Sequence, residues 1–200
     1  MTTFLLVRHA TCDPVGRSIA GRLPGIPLNA EGREQAARLA ERLRGVALDA
    51  IYSSPIQRAR ETADAIATGR ALAVSTAEEL IELDFAAWSG RTLAELEDDA
   101  RWRRFNRLRS VARASSGESM LDVQARAVAL VERLRAEHPD GRVALVSHGD
   151  VIRGLVAHLA GIPLDLFQRL EIEPASVSVI GVDEHHVAVR CLNHTGGLSV

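Results

Sequence analysis

Two hundred residues, 46% hydrophobic and 25% charged, are the composition of a globular chain with room for one sizeable domain. A net charge of −2 gives no electrostatic footing to nucleic acid or to an anionic membrane, and no apolar run approaches the roughly 18 residues of a membrane span. All 24 Lys/Arg positions are Arg, which excludes a Walker-type phosphate loop because that loop needs its Lys. Short apolar runs and helical patterns then alternate along the chain. Residues 3–7 are a buried-strand candidate. Residues 30–44 read as a helix with Ala36, Leu39, Ala40 and Leu43 on one face and Gly45 as its stop. Residues 49–53 form a second strand, after which Ser54, Pro55 and Gln57 read as N-cap, first-turn proline and capping-box glutamine of a second helix. A third strand is predicted at 71–75 and a short acidic helix at 92–100. Residues 102–116 are basic and rich in small residues, and no element is assigned to them. Ser119 and Asp122 start a helix carrying Val123, Ala127, Leu130 and Leu134 at helical spacing. A strand at 142–147, a helix at 150–160 and a hairpin of 177–182 with 186–192 around 183–185 complete the order.

Strands alternating with helices predict an α/β domain spanning residues 1–200, with a mainly parallel sheet and helices on both faces. Ligands of such sheets sit beyond the carboxyl ends of the strands. The first strand ends in Arg8-His9. The second ends in Ser53-Ser54-Pro55, and its helix brings Arg58 in the first turn. The fourth ends in Ser147-His148-Gly149. Glu82 lies in a loop-like segment, residues 81–90. A parallel sheet turns all these ends toward one crevice. Two His, two Arg and one Glu in one crevice suit phosphoryl transfer. Guanidinium groups bind a phosphate dianion bidentately, and helix N-termini add backbone N–H groups. A neutral imidazole is a competent nucleophile, a second can stabilise charge on the phosphoryl oxygens, and a carboxylic acid can protonate the leaving alkoxide.

Four segments resemble the histidine phosphatase superfamily, the phosphoglycerate-mutase-like proteins. They are L-V-R-H-A-T at 6–11, S-S-P-I-Q-R-A-R-E-T-A at 53–63, E-L-D-F-A-A-W-S-G at 82–90 and V-S-H-G-D at 146–150. The loop at 21–36 is also similar, and the likeness spans nearly the whole chain in order. It implies a three-layer α/β/α sandwich. It implies that His9 is the phosphorylated nucleophile, that Arg8, Arg58 and His148 hold the phosphate, and that Glu82 is the proton donor. Thr11, Gly21, Arg22 and Gly149 join the substrate-binding surface on the same grounds. No cofactor and no metal are implied. The sequence departs from the family pattern at Ala10, where Gly usually follows the nucleophile. It departs again at Val15, where mutases tend to carry Asn, and this favours a phosphatase over a mutase.

The expected activity is metal-independent hydrolysis of a small phosphorylated metabolite through a phosphohistidine on His9. The alternatives are a phosphoglycerate-type phosphomutase and, from another class, a phospho-ligand binding protein without catalysis. Cys12 and Cys191 stand far apart in no C-x-x-C pattern, and residues 1–7 show no basic leader or cleavage site, so a cytoplasmic setting is expected. The family likeness and the terminal hairpin leave room for a homodimer. His138, His158, His185, His186 and His194 show no metal-ligand spacing. Cys12 is expected at the pocket rim, and Trp88 and Trp102 as packing residues. The segment at 102–113 carries Arg103, Arg104, Arg107, Arg109 and Arg113, with Arg101 just before it. It is either a solvated face or a partial lid that selects anionic groups on the leaving side of the substrate.

Overall fold

A computed structural model of the chain describes residues 1–196. Six strands form one sheet: β1 (Thr2–Arg8), β2 (Ala50–Ser53), β3 (Val74–Thr76), β4 (Arg142–Ser147), β5 (Val177–Val182) and β6 (Val187–His194). Their order across the sheet is β3-β2-β4-β1-β5-β6. β3, β2, β4 and β1 run parallel, while β5 is antiparallel to β1 and β6 antiparallel to β5. The sheet is therefore mostly parallel, as its strand–helix alternation predicts. The pleat of β1 sends Phe4 and Leu6 to one face and Leu5 and Val7 to the other, and each pair joins a separate apolar core. The first core is closed by α5 (Met120–Glu137) and α6 (Gly149–Leu159), and the second by α1 (Ala30–Leu43) and α2 (Gln57–Ala67). The result is the expected three-layer sandwich.

Local chemistry fixes most boundaries. The predicted box before α5 forms: Ser119 Oγ accepts from the Asp122 N–H at 3.2 Å, and Asp122 Oδ2 accepts from the Ser119 N–H at 2.9 Å. The helix read at 92–100 is instead two. α3 (Leu93–Glu97) is capped by Thr92, and α4 (Ala100–Arg107) is capped by Asp99, whose Oδ1 accepts from the N–H groups of Arg101 and Trp102 at 2.8 and 3.2 Å. The basic segment left unassigned thus opens with a helix. The capping box read at Ser54 and Gln57 does not form. Ser54 Oγ lies 2.8 Å from His148 Nε2 and accepts from the Ile56 N–H at 3.3 Å, Gln57 donates to Glu61 Oε1 at 2.7 Å, and the helix starts at Gln57 without a side-chain cap. The third strand is shorter and later than predicted, at Val74–Thr76, and β6 runs to His194, two residues past the predicted end at 192.

Candidate active site

Strand β1 delivers Arg8 and the residue beyond it, His9, to the crevice above the sheet. Backbone bonds hold the turn from both sides: His9 N–H donates to Ser147 O at 2.8 Å, Arg8 N–H to Ser176 O at 3.2 Å, and Ala175 N–H to Arg8 O at 3.1 Å. The His9 ring is oriented at both nitrogens. Nδ1 donates to its neighbour's carbonyl, Ala10 O, at 2.7 Å, so Nε2 presents its lone pair, 3.2 Å from the Arg58 Nε–H. His148 stands beside it, with ring centroids 5.1 Å apart.

Arg58 ties the site together. It is 1% exposed, and its Nη2 donates to Gly21 O at 2.9 Å and to His148 Nδ1 at 3.2 Å. That bond leaves the His148 proton on Nε2, which donates to Ser54 Oγ at 2.8 Å. Among the described residues no carboxylate forms an ion pair with Arg58, and its Nη1 has no hydrogen-bond partner. A buried cation held only by neutral groups is costly unless an anion joins it, so the site is built for an anionic ligand. Arg8 repeats the pattern: Nη1 donates to Ile172 O at 2.6 Å, while the buried Nε has no partner. Burial, reinforced by the Arg58 charge, holds the pKa of both His9 and His148 well below the usual histidine range, so both imidazoles are neutral.

Glu82 enters from the loop after β3. Its Oε1 accepts from the Leu83 N–H at 2.9 Å, and Oε2 lies 3.8 Å from His148 Nδ1. Burial and then the negative charge of Asp150 push its pKa up to about 7, which places a protonatable carboxyl in the crevice at neutral pH.

One glycine serves the site by its missing side chain: Gly21 has φ +48, and a Cβ there would lie 2.8 Å from Ser89 Oγ. Gly149, the first residue of α6, lies beside Arg8 and Arg153, and a Cβ there would be 3.4 Å from both Arg8 Nε and Arg153 Nη1.

These groups line a cavity of about 280 Å³. His9, Arg8, Arg58, Glu82, Gly21 and Gly149 all face it, and His148 backs it through Arg58. Two further residues expected to bind substrate, Thr11 and Arg22, do not line it either. The Thr11 N–H donates to Gln35 Oε1 at 2.9 Å and its carbonyl accepts from the Asn29 N–H at 3.3 Å, so its backbone is spent on α1. Arg22 donates through Nε to Glu82 O at 2.8 Å and pairs with Glu118 at 2.6 Å. Arg126 pairs with the same Glu118 carboxylate at 3.3 Å. Arg22 thus steadies the loop that carries Glu82.

The Arg-rich segment forms the cavity's roof in an unexpected way. Arg101, Arg103, Arg104, Arg107 and Arg113 are exposed and do not line the cavity, whereas Trp102, Asn106 and Arg109 do. Trp102 packs at 5.3 Å from Trp88, ring centroid to centroid, and also forms part of the cavity wall, so packing and lining coincide in one side chain. Cys12 reaches the cavity, with its thiol pKa raised by burial. Sequence reasoning missed Asp150, Arg153 and Gln168 as lining residues. The signal available was the i, i+3 spacing of Asp150 and Arg153, which becomes informative once the start of α6 is located. Among the described residues no group of three or more His, Cys, Asp or Glu side chains could hold a metal ion, and no helix is long and apolar enough to cross a membrane.

Known proteins resemble this chain over nearly its whole length. Residues 4–195 match the model of the histidine phosphatase superfamily (branch 1). Phosphoserine phosphatase 1 of Hydrogenobacter thermophilus is 34% identical over 202 residues, covering 98% of this chain and 93% of its own. The adenosylcobalamin/alpha-ribazole phosphatase of Escherichia coli is 29% identical over 191 residues, covering 94% of each chain. Among solved structures, Bacillus stearothermophilus YhfR superposes with a TM-score of 0.91 at 32% identity, over 96% of this chain and 97% of that one.

Proposed function

Because the chain belongs to the histidine phosphatase superfamily, we propose that it hydrolyses a small phosphomonoester without a metal, passing the phosphoryl group through Nε2 of His9. Two relatives, the phosphoserine phosphatase and the alpha-ribazole phosphatase, are named for phosphatase activity. The observation that carries the reading is the His9 ring, whose Nδ1 is tied to Ala10 O while Nε2 meets the guanidinium of a buried Arg58. An imidazole fixed in that tautomer is a nucleophile aimed at whatever anion Arg58 binds.

The unpartnered N–H groups of Arg8 and Arg58, with the N-terminus of α6, receive the phosphoryl oxygens. Charge that builds there as His9 attacks is met by Arg58, which His148 Nδ1 and Gly21 O hold in position before the substrate arrives. Glu82 gives its proton to the leaving oxygen, and a phosphate dianion nearby raises its pKa further, keeping it protonated for that step. The resulting carboxylate then takes a proton from water, which attacks the phosphohistidine and frees inorganic phosphate.

Rapid quench of the enzyme with a labelled phosphoester is expected to trap label that is stable in base and lost in acid. The same label persisting in His9→Ala refutes the covalent step. Full turnover is expected after treatment with EDTA and desalting. Activity lost to the chelator and restored by one metal ion refutes metal independence.

A further inference from the structure

A phosphate alone does not balance the charges of the cavity. Four guanidinium groups line it, those of Arg8, Arg58, Arg109 and Arg153, against two carboxyl groups, Glu82 and Asp150. The two catalytic imidazoles are neutral, as described above. With Glu82 protonated for its role as acid, the lining carries a surplus of three positive charges. A phosphomonoester dianion offsets two of them and leaves one.

The contacts identify which cation is left over. Arg58 and Arg8 hold the floor. Arg109 is 3% exposed and both its terminal nitrogens are engaged: Nη1 meets Asp150 Oδ2 at 3.0 Å and Nη2 donates to Asn106 Oδ1 at 2.6 Å, while the buried Nε has no partner and the guanidinium carbon lies 4.0 and 4.9 Å from the ring centroids of Phe105 and Phe167. Arg153 differs. Its Nε donates to Leu170 O at 2.8 Å and its Nη1 to Asp150 Oδ1 at 3.1 Å, while Nη2 makes no hydrogen bond among the described residues, and the side chain keeps 25% exposure. Asp150 thus divides one negative charge between two arginines. Arg153 Nη1 and Arg8 Nε also both lie 3.4 Å from where a Gly149 Cβ would be. The Arg153 charge acts against that of Arg8, and an anion bound beside them relieves the repulsion. The apolar lining residues Ile19, Phe85, Leu93 and Trp102 suit a short carbon skeleton.

Building on the phosphatase reading, we propose that Arg153 binds an anionic group on the leaving half of the substrate, and that this substrate is a phosphorylated hydroxy acid whose alcohol half carries one net negative charge. The exposed arginines of the roof do not take that role, because they do not line the cavity.

Four primary alkyl esters test this: 3-phosphoglycerate, O-phosphoserine, glycerol 3-phosphate and O-phosphoethanolamine. Their alcohol halves carry one negative charge, a balanced zwitterion, no charge and one positive charge. The wild-type kcat/KM is expected to favour 3-phosphoglycerate over glycerol 3-phosphate by about ten- to a hundred-fold, the worth of one charge-assisted contact. O-Phosphoserine is expected to fall between them, and O-phosphoethanolamine last. Arg153→Gln should remove most of the ratio, and Arg153→Lys should keep part of it. Arg101→Gln, which deletes the same charge from the surface of α4, should keep all of it. Equal turnover of 3-phosphoglycerate and glycerol 3-phosphate overturns the proposal, and so does a preference for O-phosphoserine over 3-phosphoglycerate. These two outcomes need no variant to fold. A ratio unaltered in Arg153→Gln overturns the assignment to Arg153. Turnover of none of the four, nor of 4-nitrophenyl phosphate, overturns the phosphatase reading and the substrate assignment with it.

Discussion

On the cavity floor His9, Arg58 and His148 are at most 4% exposed and hang from strand ends or the first turns of long helices. On the roof Trp102 and Asn106 are only half-buried and sit on one eight-residue helix, α4. The floor's polar atoms bind one another across the sheet: Arg58 meets residues 49 positions before it and 90 after it. The roof is fastened by Phe105, fully buried against Phe85 and Trp88, and at its end, where Arg109 pairs with Asp150 and Ser110 bonds Asp165 through both its N–H and its hydroxyl. A floor so cross-linked has one arrangement, which suits groups that meet the same phosphoryl centre whatever the substrate. A roof secured at a few points can change its inward side chains without disturbing the floor, which suits the part that meets the leaving group.

The comparison predicts where damage is uniform and where it is selective. The largest effect is expected from His9→Ala, with kcat falling about 10⁴-fold or more on every ester, measured side by side on aryl and alkyl phosphates. A variant of the roof with an equal loss on 4-nitrophenyl phosphate would break the division. Glu82→Gln is expected to cost about 10²–10⁴-fold on alkyl esters, the usual range for general acid catalysis, and far less on 4-nitrophenyl phosphate. Equal losses on both would move the acid to another residue. His148→Ala, which removes the acceptor that holds Arg58 Nη2, should cost about 10²-fold on every ester, the range for misplacing a positioned group.

A pH profile sharpens the contrast. Glu82, raised to about 7, must be protonated to act, so kcat/KM is expected to fall as pH rises through that value. Asp150→Asn removes a negative charge that opposes Glu82 ionisation and leaves Arg109 and Arg153 less neutralised. Both changes favour the Glu82 carboxylate, so the alkaline fall should begin at lower pH. The substrate's own second ionisation, at a pKa of about 6, is common to both enzymes and cancels from their difference. A fall that stays in place or moves upward would remove Asp150 from this role. The smallest effect belongs to Arg104→Ala on the outer face of α4, expected within about 0.5 kcal/mol of wild type in urea unfolding and without change in substrate preference.

The floor was also the part legible in the sequence. Arg8-His9 and Ser147-His148 follow short apolar runs that read as buried strands, and the rule that ligands sit at strand ends brings them together. Ser119 and Asp122 announced α5 because a capping box acts over three residues. Ser54 misled because its hydroxyl binds His148, 94 residues away, in place of capping its own helix. Arg22 stands where it does because of Glu118, a partner 96 residues on that no local pattern reveals. The inward turn of Arg109, alone among its arginine-rich neighbours, depends on Phe105, Phe167 and Asp150 meeting around it, which composition and periodicity do not encode.

Strand β1 lies at the seam between the parallel and antiparallel parts of the sheet, with β4 on one side and β5 on the other. Its register pairs Thr3 with Arg142 and Thr2 with Val182, so the strand that leads into His9 takes both its partners from more than 130 residues further on. The loops that must close to bring them together are long, and contacts of that span form late and slowly, on the scale of about milliseconds to seconds for β-rich topologies. The crevice around His9 is complete only when β4 and β5 both flank β1, so the backbone that aims this imidazole is supplied entirely by long-range pairing.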